Sequence, residues 1–295
     1  MNIVKKLLRM FNLSNDNTKI LSNLDEIKFQ NGSILLEQSY RKNSSNILDH
    51  EFKVYSQWGE DGIISYLINN LDLKNNFFVE FGVENYLESN TRFLLKKFNW
   101  SGLIMDSSPK NIEYIKKDGI YWKHDITALC KFISINNINE IFLENLVDKN
   151  IGLLSIDIDG NDYWVWKAIS TIDPSIVVIE YNSILGKDKN YVVPYEENFT
   201  RKKAHYSNLY YGSSLPALTK LANEKGYALT ACNSAGNNAF FVKRNLLNEK
   251  VKEVNCRDAF KERKFRESRD KNNKLTFLNN KEQKELISHL SLEEV

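Results

Sequence analysis

Residues 77–91 read FFVEFGVENYLESNT, and how that stretch is taken decides the fold. Four apolar residues and one acid rise to Gly82, and the run ESNTRFLLKKF that follows has helical spacing. An apolar strand ending in a carboxylate, then a glycine turn, then a helix is how a doubly wound α/β sheet opens a nucleotide pocket beyond the strand's carboxyl end. Glu80 then faces the crevice, where it accepts hydrogen bonds from a ribose or an ammonium group. Gly82 lets the backbone approach the ligand with no Cβ in the way. A buried strand with an incidental acid fits the same letters equally well, since a single-glycine loop is weak evidence.

The flanking sequence favours the sheet. GLIMD (102–106), YWKHDI (121–126), IGLLSIDIDG (151–160) and SIVVIEYN (175–182) read as further strands, alternating with the helical runs SPKNIEYIKK, INEIFLENLV and DYWVWKAI. Such alternation implies a parallel sheet covered on both faces. LPALTKLANEKG reads as a helix with Pro216 at its start and Gly226 at its end, and YALTACN and NNAFFVK as a final antiparallel pair. The fold expected is α/β, a Rossmann-like doubly wound sheet, mostly parallel with a C-terminal antiparallel strand, plus an N-terminal helical arm.

Three segments are expected: a helical arm over 1–54, the sheet domain over 55–243, and a charged helical extension over 244–295. The arm opens with MNIVKKLLRMF, an amphipathic pattern, and continues with LDEIKFQNGSILLEQSY, a helix predicted to break or bend near Gly32. Packing on the domain or on a partner chain is the expected use of the arm, which makes a homo-oligomer compatible with the sequence. Residues 183–214 interrupt the strand–helix rhythm with a long polar and aromatic stretch, expected to cover the carboxyl edge of the sheet as a lid. In YSQWGEDGIISYL, Gln57, Glu60 and Asp61 either complement a helix dipole or rim the pocket.

The 295 residues are 42% hydrophobic and 26% charged, the make-up of an ordinary globular chain with ample core. A net charge of +2 gives no general attraction for nucleic acid or membrane. No stretch reaches the roughly 18 apolar residues of a transmembrane span. Cys130, Cys232 and Cys256 lack metal or redox spacing and suggest reduced thiols in a cytoplasm.

The expected strands end in Glu80, Asp106, Asp125 and Asp157, and parallel strands bring such ends to one rim. Asp106 suits the hydroxyls of a ribose, and Asp125 with Ile126 suits an adenine, the carboxylate taking the exocyclic amine. In SIDIDGNDYW, Asp157 and Asp159 stand after the fourth strand and face Glu180 and Asn182 after the fifth. These are hard oxygen ligands suited to magnesium or calcium, and such a cation lowers the pKa of an acceptor hydroxyl. Alternatively Asp162 or Asn161 caps the next helix and the other acids are solvated. DIDG also matches the nucleophile motif of haloacid-dehalogenase phosphatases and the Asp-x-Asp of nucleotide-sugar glycosyltransferases. The first normally opens its domain, and the second leaves the acids at the first three strand ends unexplained. His205, among lid tyrosines, is a candidate base.

YSQWGEDGII, FVEFGVENYLESNTRFLL, GLIMDSSP, LLSIDIDGNDYWVW, VVIEYNS and YGSSLPALTKLANEKGYALTACNSAGNNAFFV together resemble the class I S-adenosylmethionine-dependent methyltransferases, in particular the FkbM-like branch of bacterial surface-glycan and natural-product clusters. The resemblance spans residues 55–242, although Glu84 stands where a second glycine is common. It implies that Glu80 and Gly82 hold the cofactor's amino-acid end, Asp106 its ribose, and Asp125 with Ile126 its adenine. Gln57 and Ser107 belong to the same cofactor site, and Asp157 lies near the sulfonium. Asp157 and His205 are then the catalytic candidates, and Asp157, Asp159, Glu180 and Asn182 the candidate ligands of Mg2+. The implied reaction is methylation of oxygen, with nitrogen as the alternative, on a small or sugar-derived acceptor. A non-catalytic cofactor binder remains the reading from another class.

Overall fold

The structure is a computed structural model that describes residues 2–146 and 150–295, with side chains from residue 19 onward. Two compact units emerge, Met1–Asn43 and Ser44–Val295. Among the described residues no helix is long and apolar enough to cross a membrane.

The first unit is one helix, α1 (Asn2–Tyr40). The break expected near Gly32 does not occur. One glycine costs about 1 kcal/mol against alanine, a small penalty in a 39-residue helix rich in good helix formers. The apolar grouping of residues 3–11 lies outside the described side chains.

In the second unit the strands are β1 (Phe77–Phe81), β2 (Ser101–Asp106), β3 (Ile126–Cys130), β4 (Leu153–Ile156), β5 (Ile176–Glu180), β6 (Tyr191–Val192), β7 (Tyr227–Cys232), β8 (Asn238–Lys243) and β9 (Glu293–Glu294). The helices are α2 (Glu60–Asn70), α3 (Arg92–Phe98), α4 (Pro109–Lys117), α5 (Gly119–Lys123), α6 (Ile138–Asn145), α7 (Asp162–Ala168), α8 (Arg201–Ala204), α9 (Leu215–Glu224), α10 (Cys256–Ala259) and α11 (Asn280–Ile287). Seven strands form the main sheet in the order β3-β2-β1-β4-β5-β8-β7. The first five are parallel, and β8 runs antiparallel to both β5 and β7. This is a Rossmann-like wound sheet.

Strand alternation builds a core on each side. Val79, Phe81, Leu103, Leu154 and Val177 pack with Ile141 and Phe142 of α6, Trp166 of α7 and Leu218 of α9. Phe78, Ile104, Leu153, Val178 and Phe240 pack with Ile63 and Leu67 of α2 and Ile115 of α4. Every residue of β5 is buried, as its unbroken apolar run requires of a central parallel strand. Each such aliphatic or aromatic side chain contributes roughly 1.5–3 kcal/mol on burial.

The third strand departs from expectation. Tyr121 and Trp122 belong to α5, whose first turn is capped by the Asp118 carboxylate accepting from the Ile120 amide at 2.8 Å. β3 therefore starts at Ile126 instead of ending there, and its register runs from Gly102↔Ile126 to Asp106↔Cys130. The charged tail also carries less helix than its pattern suggests, only α10 and α11. Elsewhere it packs along the domain, with Val251 in the core and Tyr181 Oη donating to the Lys261 carbonyl at 2.8 Å.

Candidate functional site

The chain order reverses between β1 and β4, and the loops leaving those two strands cross closely. Gly82, φ +70°, sits where any Cβ would collide with the Asp157 carbonyl oxygen. A cleft of about 450 Å³ opens beyond these carboxyl ends, where ligands bind in open α/β sheets. Gln57, Glu80, Gly82, Asp106, Ser107, Asp157, Asp159 and Glu180, all singled out from sequence, line it.

Their side chains are not equally free. Glu80 accepts from the Asn90 amide at 2.8 Å and from the Thr91 amide at 3.2 Å and hydroxyl at 2.5 Å, so it ties the start of α3 to β1. Burial pushes its carboxyl up to about 7 despite those donors. Asp106 takes the Glu84 amide on one oxygen at 2.9 Å, and the Ser108 amide and Asn111 Nδ2 on the other at 2.8 and 3.0 Å. A carboxylate has about four acceptor sites, so Asp106 retains capacity for one further donor. Glu84 itself has φ +47°: the loop keeps the left-handed backbone of a glycine under a side chain.

Asp61 and Glu60 neither rim the cleft nor merely face a helix dipole. Asp61 Oδ2 accepts from the amides of Val54, Tyr55 and Ser56 and from the Ser56 hydroxyl, all at 2.7–2.8 Å. Glu60 accepts from the Trp58 amide and from the side chains of Asn233 and Asn238, joining α2 to the β7–β8 hairpin.

On the other flank, oxygens of Asp157, Asp159 and Glu180 all lie within 4.8 Å of one another. Among the described residues Glu180 Oε2 is buried without a hydrogen-bond partner. Burial, followed by the charges of Glu180 and Asp159, pushes the Asp157 carboxyl well up. Burial raises Glu180 to about 8, against the opposing pull of Arg201. Asp162 stitches the loop together, accepting from the Ile158 and Gly160 amides at 2.8 Å each, while Asn161 makes no side-chain cap.

Four expected site residues fall elsewhere. Asp125 and Ile126 lie at the amino end of β3, the rim opposite the cleft, because the strand begins there. Phe132, just past the carboxyl end, lines the cleft instead. Asn182 is consumed by structure: its Nδ2 donates to the carbonyls of Leu209 and Tyr211, and its Oδ1 accepts from the Ile184 amide. His205 stands away from the cleft, its Nδ1 on the Ser207 hydroxyl at 2.7 Å and its ring beside Tyr206 and His289.

Arg201, which the sequence reading passed over, does reach the cleft from the 183–214 segment. Its Nη1 donates to Asp159 Oδ1 at 3.0 Å, its Nε donates to the Asn208 carbonyl, and its guanidinium lies 3.8 Å over the Tyr211 ring. The one signal was a cation in the segment expected to cover the acids. Asn90 and Asn238 also line the cleft with no signal of their own.

No family model matches the chain, and no curated protein does. Solved structures with a similar trace include the N-terminal domain of EvdMO1 with S-adenosylhomocysteine bound, at 10% identity over 57% of this chain and 73% of that one, TM-score 0.38. An S-adenosylmethionine-dependent methyltransferase from Clostridium acetobutylicum is 11% identical over 62% and 90%, TM-score 0.40. TrmK of M. capricolum, in complex with S-adenosylhomocysteine, is 11% identical over 64% and 70%, TM-score 0.36. Likeness at this level bears on chain path alone; the chemistry has to come from the cleft.

Proposed function

We propose that this chain is an S-adenosylmethionine-dependent methyltransferase, of FkbM-like type, that methylates a hydroxyl oxygen, or alternatively a nitrogen, on a small or sugar-derived acceptor of surface-glycan or natural-product synthesis. The observation that carries the reading is the convergence of Gly82, Asp106 and the Asp157–Glu180 acids on one cleft at the strand-order reversal. In this reading the Gly82 backbone and Gln57 receive the amino-acid end of the cofactor. Asp106 and Ser107 take the ribose hydroxyls, and Phe132 replaces Asp125 and Ile126 against the adenine. Glu80 acts indirectly, by fixing the Asn90–Thr91 turn. Bound S-adenosylmethionine supplies an electrophilic methyl group, and the chain's task is alignment of the acceptor with it.

Asp157, Asp159 and Glu180 would hold a divalent cation such as Mg2+. Three carboxylates offer hard oxygen donors, and the unpartnered Glu180 Oε2 fits a site that takes positive charge. Such an ion would ease loss of the acceptor's proton. Asn182 and His205 drop out of this scheme. Asp157 has two roles open to it, cation ligand and acceptor-orienting group.

Titration calorimetry with S-adenosylhomocysteine, sugar nucleotides and Mg2+ tests the assignment. Homocysteine-adduct binding that weakens in Asp106→Ala is the expected result. Sugar-nucleotide binding without it would replace the reading by a glycosyltransferase, and cofactor binding without turnover on any acceptor panel by a non-catalytic binder.

A further inference from the structure

The long helix α1 carries an apolar stripe that the cleft and its chemistry leave unexplained. Ile20, Leu24, Ile27 and Ile34 are 53–55% exposed and Leu35 38%, and Asn31 is exposed on the same face. The spacing is that of a heptad: Ile20, Ile27 and Ile34 recur every seventh residue at d, Leu24, Asn31 and Gln38 fall at a, and Leu21, Lys28 and Leu35 at e. A strict seven-residue repeat matches a supercoiled helical partner and drifts around a straight, isolated helix.

We infer that α1 associates with the same helix of other copies of this chain, in a parallel, in-register bundle of three or four strands. Isoleucine at every d with leucine at the apolar a position, Leu24, favours more than two strands, and the polar a residues Asn31 and Gln38 fix register at a cost in stability. Apolar e positions widen the buried face in the same direction. The exposed apolar side chains, six of them from Ile20 to Leu35, are each more than a third exposed, and a bundle buries them against two neighbouring helices. A membrane surface fits less well. The stretch 19–40 holds Lys19 and Lys28 against Asp25, Glu26 and Glu37, whereas interfacial helices pair an apolar face with a cationic one.

Light scattering on the full chain at micromolar concentration should give three or four times 34.4 kDa. Ile20→Glu with Ile27→Glu should return one chain, with the near-ultraviolet circular dichroism of the 44–295 unit retained. Asn31→Cys should cross-link between chains on oxidation, above the background given by the exposed Cys130. If the double variant misfolds, Asn31→Leu decides, since replacing the central polar a residue should raise the temperature at which the oligomer dissociates. A single-chain mass for the wild type, an oligomer surviving both glutamates, no cross-link above background in Asn31→Cys, a lower dissociation temperature for Asn31→Leu, or pelleting of a monomer with phosphatidylserine vesicles would each overturn the inference.

Discussion

A Cβ on Gly82 would stand 1.6 Å from the carbonyl oxygen of Asp157, so the turn after β1 and the turn after β4 are built around a missing side chain. Gly82→Ala meets both that clash and a φ of +70°. It should destabilise the domain by more than about 3 kcal/mol, read from the urea midpoint, and abolish cofactor binding. An unchanged midpoint would show that the two turns separate freely.

Asp106 joins three loop donors and is proposed to take a ribose as well. Asp106→Ala should weaken S-adenosylhomocysteine affinity by about 1–3 kcal/mol, roughly 5- to 150-fold, in calorimetry. Affinity equal to wild type removes Asp106 from the site.

The buried carboxyls give the protein without ligand a definite pH dependence. Glu180 is raised from an ordinary 4.5 to about 8, and Glu80 from 4.5 to about 7. Between those values the folded chain holds protons that the unfolded chain releases, so stability falls as pH rises from about 4.5 to about 8. Glu180→Gln should flatten the upper part of that fall in a melting-temperature series, and Mg2+ should restore wild-type stability at pH 8. A wild-type melting temperature that climbs over the same range contradicts both assignments.

Arg201 places its positive charge 3.0 Å from Asp159, on the acids proposed to hold a cation. Arg201→Gln should therefore tighten Mn2+ binding, by several-fold in spin-resonance titration. Weaker binding would mean that Arg201 supports the cation site rather than competing with it.

Asp61 is a purely architectural acid by its contacts. Asp61→Ala strands four donors and should cost about 2–4 kcal/mol of stability, with cofactor affinity in the folded fraction unchanged.

The sheet was legible because periodicity and burial coincide: the run IVVI, residues 176–179, is apolar throughout, as a central strand covered on both faces requires. Part of the cleft lining followed directly, since an acid closing such a strand must emerge at the carboxyl rim, as Glu80, Asp106 and Asp157 do. Asp125 failed because aromatic Tyr121 and Trp122 suggest strand while the Asp118 cap commits them to a helical turn, which moves β3 on by several residues. Asn182 and His205 failed for another reason. Whether a polar side chain faces a ligand or a neighbouring carbonyl is fixed by loop geometry that no periodicity encodes. Arg201 was hidden for the same reason.

The Asn233–Asn238 turn, which supplies Asn238 to the cleft, and the segments beside it are braced from behind by residues 263–265. The Lys264 amide donates to the Ala235 carbonyl, the Arg263 amide donates to Ser183 Oγ, and Phe265 stacks on Trp58 beside Gln57. During synthesis from the N-terminus the central strands are complete long before these braces leave the ribosome. A chain cut short ahead of residue 263 should therefore keep the strands of its sheet and lose the bracing on the Asn238 side of the cleft.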